Sequence, residues 1–235
     1  MNSGTKTSEN AVAVVGTDTG VGKTVVTAGL VGWLREEGYD ARAIKPAQTG
    51  YPPDDDAAFV ADACGTERAA TCCRRLEPAL APAVAATVAD EPLSYDSLLE
   101  DVAAELDAAN PGVVEGIGGL RVPLADGRDV LDLVADLGVP AVVVARSGLG
   151  TLNHTALSVS ALRRRGVDVT GIVLNQYDGE SLAERTNPDA LAEMVDCPIH
   201  TLPSFSVAEP SDAVSAVSAA LPRSIFDDIL PAERV

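Results

Sequence analysis

Lysine is rare in this chain of 235 residues: Lys6, Lys23 and Lys45 are the only three. Lys6 lies in a polar N-terminal stretch, whereas the other two stand in segments suited to phosphate chemistry. Lys23 falls near the end of Gly16-Thr17-Asp18-Thr19-Gly20-Val21-Gly22-Lys23-Thr24, with Val25 directly after it. Glycines let the backbone turn tightly enough for several N–H groups to converge on one oxyanion, and a following helix adds the partial positive charge of its N-terminus. A lysine so placed reaches the terminal phosphates of a nucleotide, and the Thr24 hydroxyl ligates Mg²⁺. The spacing departs by one residue from G-x-x-x-x-G-K-[ST], which needs glycine where Thr17 stands. A glycine-rich turn that merely joins a strand to a helix is the alternative, and the order strand, G-K-T, helix speaks against it.

Lys45 opens Lys45-Pro46-Ala47-Gln48-Thr49-Gly50. Pro46 and Gly50 break regular structure, so Lys45 and Thr49 are expected on a loop just past a short strand, Ala41 to Ile44. In an open parallel sheet that is the ligand edge, shared with the phosphate turn. Pro52-Pro53-Asp54-Asp55-Asp56 then leads into a helix expected over Ala57 to Ala63. Solvation and capping explain Asp54 and Asp55, and at least one of the three acids could face a metal beside the phosphates. Glu115-Gly116-Ile117-Gly118-Gly119 follows a very short strand, Val113-Val114. An acid at a strand end followed by glycines suits a direct or water-mediated Mg²⁺ contact with a close backbone approach; an incidental Glu in a glycine turn is the plainer reading.

The elements that must position these residues alternate along the chain. Strands are expected at Ala11 to Val15, Ala141 to Ala145, Val169 to Leu174 and Ile199 to Leu202. Helices are expected from Val25 to about Gly38, over Ser94 to Ala108 with a stripe of Leu98, Leu99, Val102, Ala103 and Leu106, and over Asp129 to Leu137. Glu77 to Ala89 reads as a loop and helix covering the site, and Ser211 to Leu221 as a surface helix. Arg146 to Gly150 is a loop, and Thr151 or Asn153 can cap the helix that runs on to Arg165. Such a helix N-terminus past a strand end is a second anion site, suited to a carboxylate. The amides of Asn175 and Gln176, at another strand end, could read a base edge. One α/β domain results, a doubly wound, mainly parallel sheet of the P-loop NTPase type with helices on both faces.

Acidic residues outnumber basic ones 35 to 17, a formal charge of −18. That balance excludes a basic nucleic-acid-binding face and suits a salt-rich cytoplasm, where self-repulsion is screened. Met1 to Asn10 is expected as a disordered tail without the apolar core of a signal peptide, and no apolar run is long enough to span a bilayer. A soluble, cytoplasmic protein is the expectation. Cys64, Cys72, Cys73 and Cys197 follow no disulfide or zinc spacing, and neither His154 nor His200 is paired with a nucleophile.

Taken in order, GTDTGVGKT, KPAQTG, an Asp opening a helix, VEGIGG followed by VPL, and GLGTLNHT resemble the dethiobiotin synthase family over nearly the whole chain. That family carries the same one-residue-longer phosphate turn. The resemblance implies an ATP-dependent cyclo-ligase of biotin biosynthesis acting on 7,8-diaminononanoate and CO₂. CO₂ adds to one amine to give a carbamate, ATP phosphorylates the carbamate, and the second amine closes a cyclic urea and expels phosphate. It further implies that Lys23 neutralises the γ-phosphate, that Lys45 holds the carbamate and its anhydride, and that Thr49 bonds substrate. Thr24, Asp56 and Glu115 would hold Mg²⁺, with Gly20 to Val25 and Gly116 to Gly118 around the phosphates. Asn175, Gln176 and Pro203-Ser204-Phe205 would contact adenine. The carboxylate tail of the diamine would rest on Thr151-Leu152-Asn153 of the partner in a homodimer. Gly20 stands where an acid is frequent, Ile117 where alanine is usual, and Gln176 where aspartate is commoner. Two rivals on this scaffold fit less well. Cobyrinate amidases carry an added glutaminase domain for which there is no room, and regulatory switch ATPases of the partitioning type have a second lysine where Asp18 stands.

Overall fold

The structure, a computed structural model, describes residues 10–227 and 229–230. Residues 1–9 of the tail expected to be disordered lie outside the described residues. The strands are β1 (Ala11–Gly16), β2 (Arg42–Thr49), β3 (Ala70–Leu76), β4 (Gly112–Gly119), β5 (Pro123–Ala125), β6 (Arg128–Asp129), β7 (Ala141–Arg146), β8 (Val169–Asn175) and β9 (Ile199–Leu202). The helices are α1 (Lys23–Glu36), α2 (Asp56–Ala63), α3 (Pro82–Ala89), α4 (Tyr95–Asp107), α5 (Val130–Leu137), α6 (Thr151–Arg164), α7 (Leu182–Met194) and α8 (Asp212–Ala220).

Strands buried on both faces read as continuous apolar runs, and their side chains still divide with a period of two. Ala11, Ala13 and Val15 of β1 join the core beneath α4, α5, α6 and α7, whereas Val12 and Val14 join the core beneath α1, α2 and α8. Ala141 to Ala145 of β7 divides in the same way. Seven strands pair in the order β3-β2-β4-β1-β7-β8-β9, all parallel. The doubly wound α/β architecture expected from the sequence is the one observed. Connections leave β1 toward β2 on one side and reach β7 on the other, so the crevice for a ligand opens at its carboxyl end.

Several local expectations are corrected. β2 does not stop at Ile44 but continues through Lys45 to Thr49, so Lys45 stands on a strand and not on a loop. Pro46 is tolerated because β2 pairs with β4 only as far as Ile44 and Pro46 is skipped in the register with β3; its missing N–H breaks no ladder bond. β4 likewise runs from Gly112 to Gly119 instead of ending at Val114, carried by parallel pairing with β1. β3 and the β5–β6 hairpin had no counterpart in the sequence reading. The hairpin turns through Asp126 and Gly127, both with positive φ (52° and 75°), the Asp-Gly conformation that short hairpins favour. α6 is capped by Gly150 at φ 96° with no side-chain bond, so neither Thr151 nor Asn153 caps it. Finally, α8 is no mere surface helix: Ala213, Val214 and Val217 are buried against α1, where Gly29 and Gly32 leave room for Val217 and Val214.

Candidate active site

A cleft of about 820 Å³ opens at the carboxyl ends of β1, β2 and β4, walled by the start of α2 and by Ala79 to Ala81 ahead of α3. Gly20, Gly22, Lys23, Thr24 and Val25 line it together with Lys45, Thr49, Asp56, Glu115, Ile117 and Gly118. Residues from four separate stretches of sequence thus share one cleft, because β1, β2 and β4 run parallel and bring their carboxyl ends, with the α1 and α2 starts that follow β1 and β2, to the same edge of the sheet.

The floor is the turn between β1 and α1. Gly22 caps α1 in the left-handed conformation (φ 100°) without any side-chain bond. The first N–H groups of the helix therefore carry no capping partner on the side of the cleft, the arrangement that receives a phosphate oxygen. Lys23 is buried, its Nζ donating to the Asp18 carbonyl at 3.0 Å. Burial, with the Lys45 charge adding to it, brings its pKa down to about 8. Gly118 has φ 56°, and a Cβ there would lie 3.0 Å from Thr19 Oγ1 and 2.8 Å from Val122 Cγ2. A side chain at position 118 would therefore meet Thr19 of the phosphate turn and Val122, so β4 comes close to the turn there.

Above the floor runs a chain of polar contacts. Thr24 Oγ1 donates to Glu115 Oε1 at 2.8 Å, and the same oxygen accepts from Lys45 Nζ at 2.8 Å. Lys45 Nζ also lies 2.5 Å from Asp56 Oδ2 and 3.4 Å from the Gly116 carbonyl. Burial alone would depress the Lys45 pKa, but Glu115 and Asp56 together hold it above its ordinary value. Burial pushes the Glu115 carboxyl upward. For Asp56 burial acts in the same upward sense, and the Lys45 ammonium outweighs it, leaving Asp56 below the usual carboxylate range. A cation thus stands between two carboxylates that a threonine hydroxyl also approaches. Such a donor set fits Mg²⁺, which binds through one or two carboxylates and completes its octahedron with water and phosphate oxygens.

Gln48 was not singled out by sequence reasoning. It is buried, and its Oε1 accepts from the Asp56 N–H at 3.2 Å while Nε2 donates to the Thr49 carbonyl at 3.0 Å. It ties the end of β2 to the first residue of α2. A glutamine between two structure breakers reads as solvated loop; only continuation of β2 turns it inward. Asp55, in contrast, is the N-cap of α2 as expected, accepting from Ala58 N–H at 3.1 Å.

The remaining candidates lie outside this wall. Val21 is buried behind the turn. Asn175 is buried too, and its Nδ2 donates to the Val21 carbonyl at 3.0 Å. Gln176 is exposed with φ 55°. Pro203 and Ser204 are exposed and Phe205 half-buried past β9, with Ser204 bonded to Asp178 through its N–H (3.2 Å) and Oγ (2.7 Å). In α6 the Thr151 hydroxyl pairs with Thr155 at 3.2 Å, Leu152 packs against the core and Asn153 is exposed. None of these three lines the cleft.

Comparison with known proteins places this geometry. Residues 10–206 match the AAA domain family. The ATP-dependent dethiobiotin synthetase of Haloferax mediterranei is 70% identical over 210 residues, covering 89% of this chain and 90% of that protein. The protein of the same name from Mycobacterium marinum is 41% identical over 89% of this chain and 93% of its own length. Among solved structures, the cell division ATPase MinD of Pyrococcus furiosus superposes with a TM-score of 0.64 over 94% of this chain and 98% of its own, at 17% identity. The septum site-determining protein MinD of Pyrococcus horikoshii, solved with Mg-ADP, gives 0.61 over 93% and 94%, also at 17%. Those two likenesses establish the fold and nothing further. At 70% identity over nine-tenths of the chain, the kinship with the Haloferax protein is of another order, and this chain belongs to the family of ATP-dependent dethiobiotin synthetases.

Proposed function

We propose that the chain closes a cyclic urea on 7,8-diaminononanoate with CO₂ and ATP, the penultimate step of biotin formation. The observation that carries this reading is the placement of Lys45: a charged ammonium in the cleft wall, beside but separate from the phosphate lysine Lys23. A nucleotide hydrolase needs only the second of these cations. Two of them in one cleft suit a reaction in which a phosphoryl group leaves one anion and arrives on another.

In this reading the open N-terminus of α1 and Lys23 hold the β- and γ-phosphates, and the Gly20 to Val25 backbone follows them. Lys45 meets the carbamate oxygens, neutralising the acceptor so that the transferring phosphoryl group meets less repulsion. Thr24, Asp56 and Glu115 would hold Mg²⁺, which supplies charge neutralisation between the terminal phosphates. Thr49, at the end of β2, orients the diamine by a hydrogen bond. Gly116, Ile117 and Gly118 exclude water on the opposite side, and the isoleucine narrows the cleft there. The adenine end would lie toward Asn175, Gln176 and Pro203-Ser204-Phe205. The chain is proposed to work as a homodimer in which Thr151-Leu152-Asn153 of one subunit meets the carboxylate tail bound by the other. Asn153 is exposed at the start of α6, and none of these three residues lines the cleft described above, which supports that arrangement. Among the described residues no helix is long and apolar enough to cross a membrane, and the charge of −18 supports a salt-rich cytoplasm as the working medium.

The test is mass spectrometry after incubation in high KCl with MgATP, bicarbonate and 7,8-diaminononanoate. The expected product is heavier than the diamine by CO₂ less water and accumulates together with ADP. ATP turnover without that product would transfer the activity to another acceptor.

A further inference from the structure

Asn175 ends β8, the strand next to β7, and reaches the phosphate turn from behind. Three observations concern it. Its side chain is buried, with 6% exposure. Its Nδ2 donates to the Val21 carbonyl at 3.0 Å, across 154 residues of sequence. A Cβ built on Gly22 would lie 2.0 Å from that same nitrogen. The amide therefore fills the space that the missing side chain of Gly22 leaves open, and grips the residue before it. Gly22 is the left-handed cap of α1, so the grip falls on the one peptide whose orientation decides where the helix N–H groups point.

We infer that Asn175 is a positioning residue for the phosphate turn: its amide holds the Val21–Gly22 peptide from the rear, fixing the N–H groups that receive the phosphates. The physical case rests on preorganisation. The Gly20-Val21-Gly22 backbone is free to rotate wherever nothing restrains it, since glycine visits both signs of φ at little cost. Elsewhere in the turn Thr17 N–H bonds Val144 O at 3.0 Å, Thr19 N–H bonds Asp18 Oδ1 at 2.7 Å and Lys23 Nζ bonds Asp18 O at 3.0 Å, all toward its entry, while Val26 N–H bonds Gly22 O at 3.0 Å as the first helical turn closes. Asn175 is the side-chain contact from a distant element at its exit. A turn already held in its binding shape loses less entropy when the phosphates arrive. The role is additional to the adenine contact proposed above: the Val21 carbonyl takes one Nδ2 hydrogen, and the second hydrogen and Oδ1 can still meet a base edge.

This inference rests on the nucleotide reading of the site, and the two are separable by experiment. Isothermal titration would compare MgATP with magnesium tripolyphosphate, which has phosphates and no base, on the wild type, Asn175→Ala and Asn175→Leu, the leucine preserving most of the packed volume. A positioning role weakens magnesium tripolyphosphate in both variants, roughly five- to tenfold for one buried hydrogen bond, and MgATP by at least as much. Hydrogen exchange would then speed up in peptides covering residues 17–24 while those of β1, β4 and β7 keep their protection. Weakened MgATP with unchanged tripolyphosphate would overturn the inference and leave Asn175 a base contact only. Exchange that rises equally across the sheet in Asn175→Leu would overturn it as well, assigning the residue to general core stability. Wild-type protein that binds neither ligand would remove the nucleotide reading and the inference with it.

Discussion

Lys45 and Glu115 belong to neighbouring parallel strands, β2 and β4, and their charged groups meet at 2.8 Å deep in the cleft wall, with Lys45 5% and Glu115 2% exposed. A lone ammonium at that depth would be forced toward its neutral form by desolvation. Glu115, joined by Asp56, holds it charged. The pair is thus the means by which a cation is kept charged in a buried wall, ready for an anion.

The first prediction follows from that separation of roles. Lys45→Ala should abolish the cyclic urea product while MgATP affinity stays within about threefold, since Lys45 meets the carbamate and Lys23 the nucleotide. Product analysis and calorimetric titration on the same preparation would decide. A loss of MgATP affinity matching the loss of product would return Lys45 to the nucleotide.

Glu115→Gln should be costly in a different way. It leaves Lys45 with Asp56 as its remaining countercharge in a buried setting, and breaking one arm of such a pair costs about 3 kcal/mol. The amide can still accept from Thr24, so local shape is preserved. Urea denaturation at fixed KCl should show the loss, and metal-dependent tightening of ATP binding should disappear with it. Unchanged stability would mean that Asp56 alone suffices for Lys45.

Most of this architecture was legible in sequence because the strands are buried on both faces and read as apolar runs: β1, β7 and β8 could hardly be anything else. The phosphate turn was legible because its glycines, lysine and threonine serve one purpose at one spacing. What stayed hidden was decided by partners distant in sequence. Lys45 and Gln48 read as loop because Pro46 sits between them, and only the absence of a β4 partner beyond Ile44 makes a proline harmless there. Glu115 read as the end of a two-residue strand because glycines surround it, yet β1 recruits those glycines into the sheet. β3, with mixed polarity and only half-buried residues over most of its length, carries no periodic signal of its own. The Asn175 contact with Val21 joins residues that no local pattern connects.

The cysteines give a pH-dependent prediction. Burial pushes the Cys64 thiol up to about 11 and Cys73 up to about 12, so both are overwhelmingly protonated at pH 8. The reactive species is the thiolate, whose scarcity outweighs the greater nucleophilicity of a high-pKa sulfur. Alkylation of Cys64 by iodoacetamide at pH 8 should be roughly twentyfold slower than that of an unstructured cysteine, with Cys73 slower still. Both rates should rise about tenfold per pH unit up to pH 10, as the thiolate fraction does. Site-resolved mass spectrometry of the labelled protein would measure this, and rapid labelling at pH 8 would contradict the burial.

The contact between α1 and α8 sets two helix effects against each other. Gly29 lies inside α1, where alanine is favoured over glycine by about 1 kcal/mol on intrinsic propensity. A Cβ at that position, however, would stand 2.3 Å from Val217 Cβ and 2.3 Å from its Cγ2. Neither atom is the far end of a flexible chain, so α8 must move away, and overpacking of this kind costs about 1–3 kcal/mol. Displacing α8 also uncovers Val214 and Ala213, which are buried on the same face, adding lost burial to the strain. Steric exclusion should therefore win, and Gly29→Ala should lower the stability to urea by about 1–2 kcal/mol net of the propensity gain. The control is Gly38→Ala, at the end of the same connection, where a Cβ meets nothing within 4 Å but φ is +94°; its cost should come from backbone strain alone. A Gly29→Ala protein more stable than the wild type would show that α8 does not rest on α1 in solution.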